Sequence, residues 1–387
     1  MKHERWTPEL RSWLESSARA AGFDASGVAG VGDPESPDAA QEATRFATWV
    51  EVGRAGEMEY LKRRDEEGTL VRSGLQVAIP WAQSVVVCAL NYNAGASFSI
   101  DAAPQGTGWI ARYAWSGRRL EDGTQVPTDY HYELLGRLRR IETELLAQTA
   151  CTTRCYVDTG PLVERSFAVR AGIGWIGKNT CVLNQQMGSW LLLGVIVTSL
   201  PLEEDGTATV VAQDRCGSCT RCIDACPTDA LLGSESRGGP REMDASRCIA
   251  YLTIEKKGAI DVGLREPMGR QVFGCDICQD VCPWNRRAPI AYQEGMRARP
   301  ELINPALEWL AAMDGREFKR RFKGSPLERT GRKRLLRNVA IAMGNSGERR
   351  FLPQLDAWVA NEAAESAPDA VLSEAAEWAR ARILAEE

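Results

Sequence analysis

The sequence predicts three consecutive parts: an α/β (α+β) domain, a small ferredoxin-like module rich in cysteine, and an all-α, HEAT-like region. Three observations predict them. Helix-like and strand-like stretches alternate over about the first 200 residues. Eight of the twelve cysteines crowd between Cys216 and Cys282. Beyond about residue 290 the chain reads as successive helices. The boundaries are set at 1–205, 206–290 and 291–387.

In the first part, Trp6, Leu10, Trp13 and Leu14 recur at helical spacing and lead into a short strand before residue 30. The β-branched run Ser84–Leu90 predicts a buried strand. An amphipathic helix follows over Tyr130–Leu146. A strand over Arg154–Asp158 ends in the turn signal Thr159-Gly160-Pro161. Glu164–Ala171 reads as helix and Ser189–Thr198 as an apolar strand, with Pro201–Gly206 as linker. In the last part, helices are predicted over Leu302–Met313, Lys333–Met343, Phe351–Ala360 and Ala370–Leu384. They suit helix pairs of a repeat type.

The cysteines carry the strongest chemical signal. Cys216-x2-Cys219-x2-Cys222-x3-Cys226-Pro227 is the ligand run of bacterial ferredoxins, whose fourth cysteine serves the other cluster of a two-cluster protein. Three thiolates on one tight loop grip three iron corners of a cube. The fourth, displaced past a helical turn and stopped by proline, points away. Cys275-x2-Cys278-x3-Cys282-Pro283 repeats the last three positions, with Val272 where the first cysteine would stand. Cys248 supplies the missing thiolate. The assignment is crossed: Cys216, Cys219, Cys222 and Cys282 hold one [4Fe–4S] cluster, and Cys226, Cys248, Cys275 and Cys278 the other. Structural zinc also uses CxxC pairs, but a full ferredoxin run with its proline, nearly repeated, favours iron–sulfur. Cys88, Cys151, Cys155 and Cys181 have no ligand spacing and are read as buried, inert thiols. Two clusters imply one-electron transfer into an acceptor site in the flanking parts.

Asp158, at a strand end before a turn, sits where layered folds open ligand crevices, although such residues often serve as turn formers. The Gly-rich run Gly172–Asn179 lacks the P-loop spacing and follows a predicted helix rather than a strand, so it is neither a P-loop nor a dinucleotide fingerprint. Its glycines suit close backbone approach to a flat ligand. His131 follows Asp129, yet the cobalt-ligating pattern D-x-H-x-x-G would need glycine where Leu134 stands.

A net charge of −5 argues against a general nucleic-acid binder. The charge is uneven, however: residues 316–337 hold ten Lys or Arg and two Glu, interleaved with Phe318 and Phe322. Such a run can neutralise phosphates, against the plainer reading of a solvated helix face. The polar N-terminus shows no signal segment, and the apolar run Trp190–Leu200 is too short to span a bilayer. A cytoplasmic protein, with no membrane partner, is expected.

Longer motifs now become readable. Gly274-Cys275-Asp276-Ile277-Cys278-Gln279-Asp280-Val281-Cys282-Pro283-Trp284-Asn285 resembles the signature of epoxyqueuosine reductases, as do Tyr156–Arg165 and Gly172–Asn179. Ser325–Asn345 is similar to that family's helical C-terminal region. The resemblance runs from about Asp24 to Trp358. It implies base-off cobalamin in the first domain, without a protein histidine on cobalt, and electrons passing through the two clusters to give Co(I). It further implies reduction of epoxyqueuosine to queuosine at the wobble position of tRNAs with a GUN anticodon, the last step of queuosine biosynthesis. Asp158 would be the proton donor, held protonated by burial. Tyr113, His131, Gly177, Lys178 and Asn179 would line the corrin site together with Asp158, and Arg332, Lys333, Arg334 and Arg337 would meet the tRNA. The external electron donor would be of flavodoxin or ferredoxin type, and the enzyme a monomer. Ser116–Pro127 departs from the family pattern as an insertion. A cobalamin-dependent reductive dehalogenase of a small molecule is the competing enzyme reading, and a docking electron carrier the non-enzymatic one.

Overall fold

The computed structural model describes residues 3–33, 36–202, 212–233, 241–361 and 369–385. The expected linker at Pro201–Gly206 falls mostly outside them. The first part is built on a four-stranded sheet of β1 (Ala25–Gly30), β2 (Ser84–Asn91), β3 (Thr153–Tyr156) and β4 (Leu191–Thr198). The strand order is β1-β2-β4-β3, and every pairing is antiparallel. The alternation of helix and strand therefore produces an α+β layer rather than a parallel α/β sheet. All eight residues of β2 are buried, as its β-branched run requires.

Two helices cover one face. Helix α1 (Pro8–Ala20) starts on a Thr7 cap with Pro8 in its first turn and buries Leu10, Leu14 and Ala18. Helix α2 (Tyr130–Gln148) buries Leu134, Leu138, Ile141 and Leu145. Asp129 caps it by accepting from the His131 amide, which fixes Tyr130 and His131 on its first turn. A third helix, α3 (Glu164–Arg170), lies on the other face, with Phe167 and Ala168 in a core that includes Val85 and Val87.

The insertion at Ser116–Pro127 forms a hairpin of Ser116–Arg119 with Gln125–Pro127, extended by Arg297–Ala298. It leaves the fold after Tyr113 and returns at Asp129, so that Tyr113 meets Tyr130 edge-on at 5.8 Å.

The cysteine module is not a separate body. Its strand Gln271–Phe273 pairs in parallel with Trp109–Ile110. Asp276, between two cysteines, accepts from Trp109 Nε1 at 3.1 Å and the Arg112 amide at 2.7 Å. One apolar core also runs from this module into the C-terminal helices α4 (Leu327–Ser346), α5 (Leu352–Asn361) and α6 (Ala370–Ala385). The expected helix over Leu302–Met313 is shorter, Leu307–Ala311, because Asn304 takes a left-handed φ of 49° and Pro305 follows. Helix α4 bends at Gly331, whose φ is 71°. Phe318 and Phe322, interleaved with the basic residues, are buried in the core and do not face a ligand.

Among the described residues no helix is long and apolar enough to cross a membrane.

Candidate active site

All three parts meet around a cavity of about 470 Å³. Tyr113, Tyr130, His131 and Asp158 line it from the first part, Cys248 and Phe273 from the cysteine module, and Arg329 and Arg334 from α4. Asp158 follows β3 through the buried Val157 and adopts φ = 56°. That left-handed conformation is tolerated by Asp and turns the chain sharply toward α3. Its Oδ2 accepts from the Tyr130 hydroxyl at 3.0 Å and lies 3.9 Å from His131 Nε2. His131 Nδ1 is held by Asp129 at 2.6 Å, while its buried Nε2 has no hydrogen-bond partner.

Burial, reinforced by the negative charge of Asp158, raises the Tyr130 phenol well above its usual range, so it stays a donor. Burial opposes ionisation of Asp129, yet the hydrogen bonds from His131 prevail and lower its carboxyl. Glu164, the first residue of α3, is raised to about 7, by burial first and by the Asp158 charge second. Its buried Oε1 has no partner. The charge of Arg329 reaches Tyr113, Tyr130 and Asp129 alike. The burial expected around Asp158 itself is absent from the protein: its side chain is 66% exposed.

The eight cysteines gather in two groups. Burial pushes Cys222 up to about 12, and the neighbouring sulfurs that add to it are Cys282, Cys216 and Cys219. Cys282 is raised to about 11, again by burial first, with Cys216 and Cys219 beside it. Cys275 is raised by burial and by Cys248, with Cys226 also near. Cys278 has Cys275 and Cys248 as neighbours. Crowded sulfurs of this kind resist ionisation alone and suit a cationic iron cluster that neutralises them. A ninth cysteine joins them: Cys181 hydrogen-bonds with Cys278, which lowers its own thiol and raises that of Cys278. Sequence spacing gives no sign of this contact, because no ligand run reaches residue 181.

Other expectations need correction. Gly177, Lys178 and Asn179 do not line the cavity. Lys178 Nζ donates to the Gly217 carbonyl at 2.9 Å, and Asn179 Nδ2 reaches the Cys278 carbonyl, so this run buttresses the cysteine loops. Its glycines serve the chain itself. A Cβ on Gly174 would lie 2.0 Å from the Leu183 carbonyl oxygen. In the basic run, Arg337 is 1% exposed and donates to the carbonyls of Leu252, Lys256 and Gly258. Arg332 holds the Met313 carbonyl, and Arg334 those of Thr330, Ile254 and Arg329. Of the four residues expected at the tRNA, only Lys333 is an exposed cation, 3.8 Å from Asp369. Arg329, which the sequence did not single out, is exposed at the cavity, and its side chain has no hydrogen-bond or ion-pair partner among the described residues.

Comparison with known proteins places this geometry. Residues 72–159 match the family model described as epoxyqueuosine reductase QueG, DUF1730. Residues 215–285 match a 4Fe-4S double cluster binding domain. An epoxyqueuosine reductase of Pseudomonas aeruginosa is 35% identical over 381 residues, covering 98% of this chain and 94% of its own. One from Xanthomonas campestris is 36% identical over 336 residues, 86% of each chain. The crystal structure of an epoxyqueuosine reductase with an epoxyqueuosine-modified tRNA-Tyr stem loop superposes with a TM-score of 0.79 at 29% identity, covering 97% of this chain and 90% of that one. That of the Streptococcus thermophilus enzyme gives 0.79 at 27%, covering 98% and 91%.

Proposed function

The chain belongs to the epoxyqueuosine reductase family, and we propose that it reduces epoxyqueuosine to queuosine in tRNA at the cavity shared by its three parts. The observation that carries the reading is that one cavity holds both a cluster-type cysteine, Cys248, and a carboxylic acid, Asp158. Conversion of an epoxide to an alkene takes two electrons and two protons and releases water. Electrons must arrive from one side and protons from another, and this cavity has both.

The two cysteine groups fit one [4Fe–4S] cluster each, in the crossed assignment. Cobalamin would be held at this cavity: Tyr113, Tyr130 and Phe273, set edge-on and tilted to one another, offer it aromatic contacts, and Cys248 would bring a cluster to its edge. When bound, cobalamin would supply low-potential two-electron chemistry at the epoxide carbon. The rest falls to side chains. Asp158 delivers a proton to the departing oxygen. Tyr130 donates to Asp158 Oδ2 and so orients the carboxyl, leaving Oδ1 for the substrate. His131, fixed by Asp129, backs the same oxygen. Substrate and cofactor would provide the burial that the protein alone does not give Asp158. One related structure, from Bacillus subtilis, has its catalytic Asp loop swung out of the active site, and a loop turning on a left-handed Asp158 suits such movement. Arg329 offers charge to tRNA phosphates at the cavity mouth, and the exposed Lys333 adds a cation on the same helix. The enzyme would act as a monomer with an external one-electron donor.

The test is anaerobic reconstitution with iron, sulfide and cobalamin, followed by reductant and a stem loop carrying epoxyqueuosine. Mass spectrometry of the digested nucleosides should show queuosine, and none without cobalamin. Full clusters and bound corrin without any queuosine would remove the proposed substrate.

A further inference from the structure

The two cysteine groups differ in their surroundings. Cys248 of one group lines the cavity, and no member of the Cys216, Cys219, Cys222 and Cys282 group does. That second group lies beside solvent-facing chain. Gly217, Ser218 and Thr220 between its ligands are exposed. Cys216 and Cys282 pack with Trp284 and Trp175.

The exposed charge around this outer group is mostly positive. Arg215 and Arg221 adjoin Cys216 and Cys222 in sequence. Arg286 and Arg287 close the short 3-10 helix Pro283–Arg287 that begins directly after Cys282. All four are exposed, and none of their side chains has a hydrogen-bond or ion-pair partner among the described residues. Each lies within five residues of a cysteine of the outer group, hence no more than roughly 18 Å of chain away. Of the acids nearby, Asp214 is paired with Arg241, and Asp224, which accepts from the Thr220 hydroxyl, remains as a lone negative charge among the four arginines. The buried Lys178 adds a further cation at Gly217. In a chain of net charge −5 such a rim is conspicuous.

We propose that Arg215, Arg221, Arg286 and Arg287 form the docking face for an acidic one-electron carrier protein, which delivers electrons to the outer cluster. This rests on reading the two cysteine groups as clusters. With clusters held by the two cysteine groups, each encounter would deliver one electron from the reduced carrier to the outer cysteine group and on to the group beside the cavity. Two encounters supply the two electrons of one turnover, and the protons come separately from the Asp158 side. Complementary charge acts chiefly on the encounter rate, raising it by about 10- to 1000-fold at low salt. A tRNA phosphate backbone is the less suitable occupant, because the base to be reduced must enter the cavity and none of these arginines lines it.

The experiment uses the holoenzyme, with clusters and corrin loaded, and a purified acidic flavodoxin with its reductase as probe. Cluster bleaching is followed by stopped flow without any tRNA, so the result stands apart from the substrate question. The quadruple Arg→Glu variant should reduce at least about tenfold more slowly with flavodoxin at low salt, and lose most of the salt dependence. Reduction by dithionite at high salt should be unchanged. The milder Arg286→Gln/Arg287→Gln pair should give a smaller slowing of the same kind. An unchanged flavodoxin rate in the quadruple variant would overturn the assignment. So would an equal slowing with dithionite, which would make the arginines supports of the cluster, or weaker stem-loop binding with flavodoxin reduction intact.

Discussion

The Tyr130 hydroxyl donates to Asp158 Oδ2 across 3.0 Å, joining the first turn of α2 to the end of β3 at the cavity. This bond brings together the two residues that the chemistry most needs aligned. Asp158→Asn keeps the shape and removes the acid, so turnover should fall at least about 100-fold while both clusters and corrin remain bound. Tyr130→Phe removes only the orienting bond and should cost about tenfold in kcat. Single-turnover kinetics on the stem loop, with iron and corrin content measured in parallel, decide the matter. An Asp158→Asn enzyme at wild-type rate would take Asp158 out of the mechanism.

Glu164 should mark the pH behaviour of the fold. Its carboxyl is raised from 4.5 to about 7, by burial and then by Asp158, and Arg72 and Arg165 are the cations that face it. A raised carboxyl contributes stability at low pH that is lost as pH climbs through the folded-state value. Thermal melts of the wild type should therefore lose stability between about 4.5 and 7, and Glu164→Gln should lose less over that window. Parallel melting curves for the two proteins across that range would show that Glu164 ionises freely.

Much of this site is legible in the sequence because its signals are local. Ferredoxin spacing groups seven cysteines, with Cys248 upstream to complete the set, before any fold is known, and a strand ending in Asp158-Thr159-Gly160-Pro161 marks a residue at a crevice. What stays hidden depends on partners distant in sequence. Cys181 meets Cys278 only because the hairpin Trp175–Ile176 with Val182–Leu183 packs beside the cysteine loops. Arg337 and Arg329 look equivalent in a charge run. Yet the bend at Gly331 and the register of α4 send one into the core and leave the other at the cavity mouth. The sheet direction is equally non-local. Helix and strand alternate as in a parallel fold, and only the pairings themselves, β1 on β2 and β4 between β2 and β3, make it antiparallel.

The proposed crossing of the cysteine runs has a direct consequence. Cys248→Ala should deplete the cluster nearest the cavity and leave the outer one, so iron should fall toward half while the enzyme still accepts an electron from a reductant. Turnover should then vanish. Cys216→Ala should deplete the outer cluster instead and spare chemistry driven by a small reductant. Electron paramagnetic resonance of the two reduced variants would separate the clusters. Loss of both signals in each variant would mean that the module folds only around the complete pair.

Arg337 is a structural cation. Burial lowers its guanidinium to about 10, and it donates to three carbonyls of the segment 252–258 and to Asn338 Oδ1. Arg337→Ala would leave those carbonyls unsatisfied in the core and should destabilise the protein by roughly 3 kcal/mol or more. Chemical denaturation measures this. In the folded fraction, stem-loop affinity should hold. A variant that keeps its stability and loses affinity would return Arg337 to the tRNA surface.

Arg329 makes the opposite case. It is exposed, it lines the cavity, and its charge reaches Tyr113, Tyr130 and Asp129. A phosphate entering beside the target base would find it uncommitted, whereas Arg332 and Arg334 already hold carbonyls. Arg329→Glu should weaken stem-loop binding and flatten its dependence on salt by about one counterion. Turnover of the isolated nucleoside, which carries no phosphate, should change little. The two substrates separate the explanations, because an arginine that works by tuning Asp158 would slow both equally. An equal loss on nucleoside and stem loop would therefore assign Arg329 to the acid and away from the tRNA.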